Sequence, residues 1–275
     1  MKKIYSVLLT IGAFLALSSC SSSFSVQGSS NISTLDGRML YLKVLKNNEF
    51  KNVDSCDVVH GQFQFKGSID STRMANIFME DEQLMPIVLE GGDIVVKVDD
   101  TEMTASGTPL NEKLYGFLKE YNKVIGEQAD LVHQHDKDIM DGEDMNEVIP
   151  LLQDKELMLT AKQDSLVTHF VTDNYDNVLG PGVFFLVTIS YQYPELTPWI
   201  EDIMSKATDF FKNDAYVKDF YQKAQQNQQI MNGLIDNPAQ QAAPVYDVAP
   251  QNITAAPTPN ELAKPQNSEP AQKTE

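Results

Sequence analysis

The sequence predicts an α+β chain, with a small antiparallel β-sandwich or open barrel followed by a helical domain. Three observations carry this. Between about residues 24 and 107, apolar residues alternate at period two in short runs split by turn residues. From Pro109 onward the apolar period lengthens to that of a helix. After Leu234 the composition shifts to Pro, Ala, Gln, Asn and Thr. The expected divisions are a leader at 1–19, a β-domain with an N-terminal tether at 20–107, a helical domain at 108–235 and a tail at 236–275.

Composition narrows the function classes. The chain has 275 residues, 42% hydrophobic and 22% charged, which is an ordinary globular balance. Its 21 Lys and Arg against 39 Asp and Glu give a formal charge of −18. Phosphate binding needs clustered cations, so this balance argues against nucleic acid. Beyond the first twenty residues no long apolar run occurs, which excludes a multi-span membrane protein. Two cysteines exclude a disulfide-dense scaffold, an iron–sulfur cluster and a Cys-based zinc site.

The leader has a basic start, Met1-Lys2-Lys3, and an uncharged apolar stretch from Ile4 to Leu17. It ends in Leu17-Ser18-Ser19-Cys20, small residues before a cysteine. The stretch is short for a membrane span. The ending resembles the bacterial lipobox, which implies that Cys20 becomes the first mature residue and carries the lipid on its sulfur. Such chemistry requires a thiolate nucleophile. Acyl chains contribute about 0.8 kcal/mol per buried CH₂, and more than one makes the anchor stable. Ser21-Ser22-Ser23 then begins a polar tether. In such lipoproteins Ser rather than Asp after the Cys implies the outer membrane, and the lack of a following acidic cluster implies the periplasmic face.

In the β part, Leu40, Leu42 and Val44 share one face, as do Phe63 and Phe65, and Ile94, Val96 and Val98. Ala75 to Met79 and Leu84 to Leu89 also read as strands, giving about seven. His60-Gly61 falls at a two-residue hairpin position where Gly supplies a positive φ, and Gly91-Gly92 reads the same way. Asp36-Gly37 opens the first long strand. Strands joined by such short turns are antiparallel, because a parallel crossover takes a dozen or more residues.

The ordered series Phe24 to Gly28, Asp36-Gly37 to Leu42, Val53 to Val58, Gly61 to Gly67, Pro86 to Ile94 and Gly107-Thr108-Pro109-Leu110-Asn111 resembles a known arrangement. It is similar to the uncharacterised N-terminal β-domain of thioredoxin-like AhpC/TSA-type envelope lipoproteins. That resemblance implies a lipoprotein with a β-domain, a helical segment and then a thioredoxin domain bearing Cys-x-x-Cys. This chain departs at the last point: its only cysteines are Cys20 and Cys56, and the tail is far too short for a thioredoxin domain.

Thr108 and Pro109 mark a helix start as N-cap and first-turn proline. Leu114, Phe117, Leu118, Tyr121, Ile125 and Val132 follow at helical spacing. A polar stretch from Lys137 to Asn146 breaks the pattern. A second stripe runs through Ile149, Leu152, Leu159, Leu166 and Phe170, interrupted by Glu156 and Gln163. Two such helices read as an antiparallel hairpin. Asn177 to Ile189 reads as a buried helix despite Gly180-Pro181-Gly182. Trp199 to Ile203, Phe210-Phe211 and Tyr216 to Tyr221 read as short helices closing the domain. The tail offers too little apolar area to offset its ordering entropy and is expected to be disordered.

No catalytic site, metal site or cofactor site is expected. Cys56 reads as a small buried residue. Asp54 and Ser55 point to opposite faces of a strand, and His60 sits in a turn, so the three do not form a triad. His133 and His135, two apart on a helix, diverge rather than chelate, with Asp136 beside them. Asp136, Asp138, Asp141, Glu143 and Asp144 read as a solvated turn, because placing Gly142 sixth in a calcium loop puts Lys137 first. The expectation is a non-catalytic, lipid-anchored envelope protein that binds or scaffolds. Its expected partners are the membrane, through Cys20, and an envelope protein. The alternative is an accessory of thiol–disulfide exchange.

Overall fold

The computed structural model describes residues 22–46 and 49–234. The leader, Cys20 and the expected tail therefore lie outside the described residues. The chain is α+β, with eight strands before Pro109 and helices after it. The strands are β1 (Ser22–Ser30), β2 (Met39–Lys46), β3 (Glu49–Asp57), β4 (Gln62–Ile69), β5 (Arg73–Met79), β6 (Glu82–Leu89), β7 (Gly92–Val98) and β8 (Met103–Ser106). They form two four-stranded sheets, ordered β4-β1-β7-β8 and β3-β2-β5-β6.

The period-two pattern sets the inward faces. Val26, Phe65, Ile94 and Val96 from one sheet meet Leu40, Leu42, Ile77 and Ile87 from the other in one buried cluster. His60 and Gly61 both take positive φ, 51° and 68°, in the turn before β4, and Val59 and Gln62 exchange two backbone hydrogen bonds across it. Glycine is required at 61: a Cβ there would stand 2.4 Å from the Ser30 carbonyl oxygen.

Two expectations need correction. Gly91-Gly92 is not a hairpin turn, because β6 and β7 belong to different sheets and the segment carries the chain from one to the other. Nor is every pair antiparallel: β1 runs parallel to β7, from Phe24 opposite Gly92 to Ser30 opposite Val98. Periodicity specifies which face of a strand is buried but not which strand lies beside it. The intervening chain builds the second sheet, which supplies the long crossover that a parallel pair needs.

Strands β5 and β6 are buried on both faces. Ala75, Ile77 and Ile87 face the sandwich, while Val88 joins the helical core and Met74 packs against it. The helices cover this outer face. They are α1 (Pro109–Asp141), α2 (Met145–Thr172), α3 (Leu179–Thr188), α4 (Pro198–Lys206), α5 (Asp209–Lys212) and α6 (Ala215–Met231). Phe184 lies at the centre of their core, with ring centroids of Phe220 and Phe211 at 5.2 and 5.6 Å. Gly180-Pro181-Gly182 does not break α3, because Pro181 lies in the first turn, where no N–H partner is lost, and Gly182 allows the close approach of helix to sheet. A Cβ on Gly182 would stand 2.5 Å from Met74 Cγ.

Helix α6 has 17 residues, longer than the short closing helix expected. Its second half is rich in Gln and lacks an apolar stripe, so only its first turns show the period. Thr197, Thr208 and Asp214 accept hydrogen bonds from the first-turn N–H groups of α4, α5 and α6.

Candidate functional site

The residues with chemical potential in β3 are engaged in closing the sandwich. Strand β4 pairs with β1 on one side only, which leaves N–H groups along its other edge. Asp54 accepts hydrogen bonds from the backbone N–H of Lys66 at 3.1 Å and of Ser55 at 2.8 Å. The Gln64 N–H donates to the Cys56 sulfur. Asp54 and Cys56, two apart on β3, thus satisfy two N–H groups two apart on β4.

Cys56 is half-buried, without a disulfide among the described residues, in an open depression of about 480 Å³ formed with Gln27, Gly28, Val59 and Phe63. Burial pushes its thiol pKa up, and the charges of Asp54 and Asp57 push the same way. His60 is exposed in its turn, and among the described residues no hydrogen bond joins it to Asp54 or Ser55.

The junction of sandwich and helices is built from the segments 86–94 and 107–111. Thr108 holds the N-cap position of α1, with Pro109 next, but its hydroxyl does not cap the helix. Glu90 does so, accepting from the N–H groups of Leu110 at 2.8 Å and Asn111 at 3.3 Å. The Thr108 hydroxyl instead accepts from the Asn111 amide at 2.8 Å. Asn111 is fully buried and reaches the open edge of β6. One turn later, the Tyr115 hydroxyl donates to the Pro86 carbonyl at 2.8 Å.

Helices α1 and α2 form the expected antiparallel hairpin. Helix α1 ends at Gly142, whose φ is 75°, and the Asp144 carboxylate caps α2 by accepting from the Asn146 N–H at 2.9 Å. The acidic cluster therefore lies at the exposed tip of the hairpin. His133 is exposed, and His135 Nδ1 lies 3.4 Å from its neighbour Asp136. Among the described residues, no group of three or more His, Cys, Asp or Glu is placed to hold a metal ion.

Gln163, which interrupts the apolar stripe, has a role that the stripe did not reveal. Its amide donates to the Tyr121 hydroxyl at 3.1 Å and accepts from Gln128 at 3.1 Å, while Lys162 pairs with Glu127 at 3.1 Å. These bonds fix the register of α2 against α1. Burial raises the pKa of Tyr121 and, beside it, of Tyr191 and Asp164.

Beyond this network the hairpin stands alone as an arm. Between Val124 and Val167 no side chain is fully buried. The stretch of α1 past Val124 is about 25 Å long at 1.5 Å per residue. Its exposed residues include Met140 at 86%, Met158 at 73% and Leu157 at 69%. The other candidates form structural bonds within the fold, whereas this surface has no partner within the described chain. Sequence spacing revealed the arm's helices. It did not reveal the exposure, because an apolar stripe does not state whether anything lies opposite it.

Residues 24–114 match the family model described as a domain of unknown function (DUF4369). The match spans the whole sandwich after its first strand residues, together with the Asn111 junction and Leu114. No curated protein and no solved structure matches the chain. No described helix is long and apolar enough to cross a membrane.

Proposed function

We propose that the chain is a non-catalytic lipoprotein of the bacterial envelope. In this reading Cys20 carries the acyl anchor, in the outer membrane facing the periplasm, and the folded body binds or scaffolds an envelope protein. The observation that carries the binding role is the arm: a long helical hairpin whose distal half exposes large apolar side chains to solvent. Here several large exposed apolar side chains gather on one element among polar neighbours, and exposed apolar groups rimmed by polar residues are a feature of interaction sites. The anchor rests on the Leu17-Ser18-Ser19-Cys20 ending. The order of motifs over residues 24–111 supports kinship with the N-terminal domains of thioredoxin-like envelope lipoproteins.

One observation favours a second reading, an accessory role in thiol–disulfide exchange: Cys56 is half-buried and opens on a surface depression. Its raised thiol pKa weighs against that reading, since exchange proceeds through a thiolate.

The test is crosslinking of the acylated protein in envelopes, followed by identification of what it captures and where. Crosslinks concentrated between residues 125 and 166 support the reading. Capture confined to Cys56 through mixed disulfides overturns it in favour of the second. Labelling with a fatty-acid analogue should mark the wild type and not Cys20→Ser.

A further inference from the structure

The arm carries two features in one pattern. Its residues 125–166 hold eleven carboxylates and three lysines. Two of those lysines are engaged within the hairpin, Lys162 with Glu127 and Lys137 with Asp141. The exposed apolar residues are interleaved with the carboxylates: Asp136 lies three or four residues from Val132, Ile139 and Met140, and Asp154 from Leu151, Leu157 and Met158. Side chains at these offsets are neighbours on a helix surface.

The apolar residues are also placed for a third helix. Tyr121, Val124, Gln128, Leu131, His135 and Asp138 recur at alternating offsets of three and four, forming the seam towards α2. Val132 and Ile139 each follow a seam residue by one. On α2, Ile149 follows Val148 in the same way, while Leu151 and Met158 precede Leu152 and Leu159. The register fixed by Gln128–Gln163 and Glu127–Lys162 sets Ile139 opposite residues 150–152, within one helical turn of Ile149. Flank residues on both helices are what a helix lying along the hairpin would cover.

The tip adds an electrostatic argument. Asp138 and Asp141 occupy the last turn of α1, where the carbonyl end of the helix dipole is negative, and Lys137 beside them pairs with Asp141 at 3.8 Å. Asp136, Asp138, Glu143 and Asp144 outnumber that single lysine, so a further cation placed against this end relieves the remaining repulsion.

We infer that the arm docks a basic amphipathic helix of a partner protein along the Val132, Ile139 and Ile149 flank, with the partner's cations on the carboxylates. This rests on the reading of the arm as the binding element. A second copy of the chain is disfavoured as the occupant, because it would bring an equally acidic arm against this one. Anionic lipid is disfavoured for the same reason.

The test uses the chain from residue 20 onward with Cys20→Ser, which holds every described strand and helix without a competing acyl chain. The probes are a fluorescent Leu/Lys amphipathic helical peptide, its Leu/Glu counterpart and a scrambled Leu/Lys peptide. The Leu/Lys helix should bind at least about tenfold tighter than either control, and raising salt from low to high ionic strength should weaken it roughly tenfold. Ile139→Glu with Ile149→Glu should abolish binding. The charge-only variant Asp136→Asn, Asp141→Asn, Glu143→Gln, which leaves the apolar flank intact, should weaken it severalfold.

Equal binding of the scrambled peptide, indifference to both variants, or arm-mediated self-association overturns the inference. So does failure of the wild type to bind. A chain that ignores the peptide yet crosslinks to an envelope protein through the arm overturns the partner chemistry alone. Crosslinks that avoid the arm overturn the binding reading itself.

Discussion

Asn111 and Val88 are joined twice: the Val88 N–H donates to Asn111 Oδ1 at 2.9 Å, and Asn111 Nδ2 donates to the Val88 carbonyl at 2.8 Å. The side-chain amide thereby replaces the neighbouring strand that β6 lacks on its open edge. The same amide nitrogen also donates to Thr108, so a single fully buried residue holds the helix start, the loop and the sheet edge together. The helical body, and the arm beyond it, is aimed from this point.

Replacing Asn111 should therefore be costly. Asn111→Ala leaves both polar groups of Val88 buried and unpaired, a loss of roughly 2–4 kcal/mol. Tyr115→Phe removes one hydrogen bond to Pro86 and should cost about 1 kcal/mol. Urea unfolding measures both, and a neutral Asn111→Ala would refute the role given to the junction.

The two glycines in close contacts should differ. Gly61→Ala meets a backbone carbonyl and must also hold a φ of 68°, so it should cost roughly 2–4 kcal/mol. Gly182→Ala meets the flexible Met74 side chain and gains helix propensity, so its net cost should be only about 0–2 kcal/mol. Thermal denaturation of the two variants gives the order directly, and the reverse order would contradict it.

Tyr175 predicts an alkaline limit. Its hydroxyl donates to the Ile203 carbonyl at 2.7 Å, and burial, with the Asp202 charge adding, pushes its pKa up to about 12 from 10.0. A raised folded-state value favours the protonated form. That contribution is complete below pH 10 and disappears as pH rises through about 12. Tyr175→Phe should lose about 1 kcal/mol at pH 8 with the hydrogen bond. Its stability should then fall less steeply between pH 10 and 12 than that of the wild type. Parallel pH profiles would show that the phenol is not responsible.

Cys56 should be a sluggish thiol. Its alkylation rate should rise with pH along a curve displaced above that of a free cysteine, and Asp57→Asn should move the curve part of the way back. The protein should fail to reduce insulin disulfides. Because the thiol's folded-state pKa is raised, its contribution to stability holds below its unfolded value and is lost as pH rises through the folded one. Fast alkylation at neutral pH, or insulin turnover abolished by Cys56→Ala, would favour the thiol–disulfide reading.

The sequence by itself determined the α+β class, the inward faces of β2, β4 and β7, the His60-Gly61 turn and the start of α1 at Pro109. Each follows from local stereochemistry: the period of apolar residues, a positive φ, or a proline tolerated only in the first turn. It also located the acidic tip, because polar runs between two apolar stripes mark a turn.

Only the tertiary structure decided the rest. The parallel pairing of β1 with β7 joins segments separated by a whole sheet, and no local pattern encodes a partner. Glu90 rather than Thr108 caps α1, because a carboxylate twenty residues away is delivered there by the turn between the sheets. Gln163 reads as a flaw in a stripe until Tyr121 and Gln128 stand opposite it. The same amphipathic spacing that buries Leu114 and Phe117 leaves Val132 and Ile139 in solvent. Spacing sets the direction of a side chain, and burial depends on whether another part of the chain reaches it.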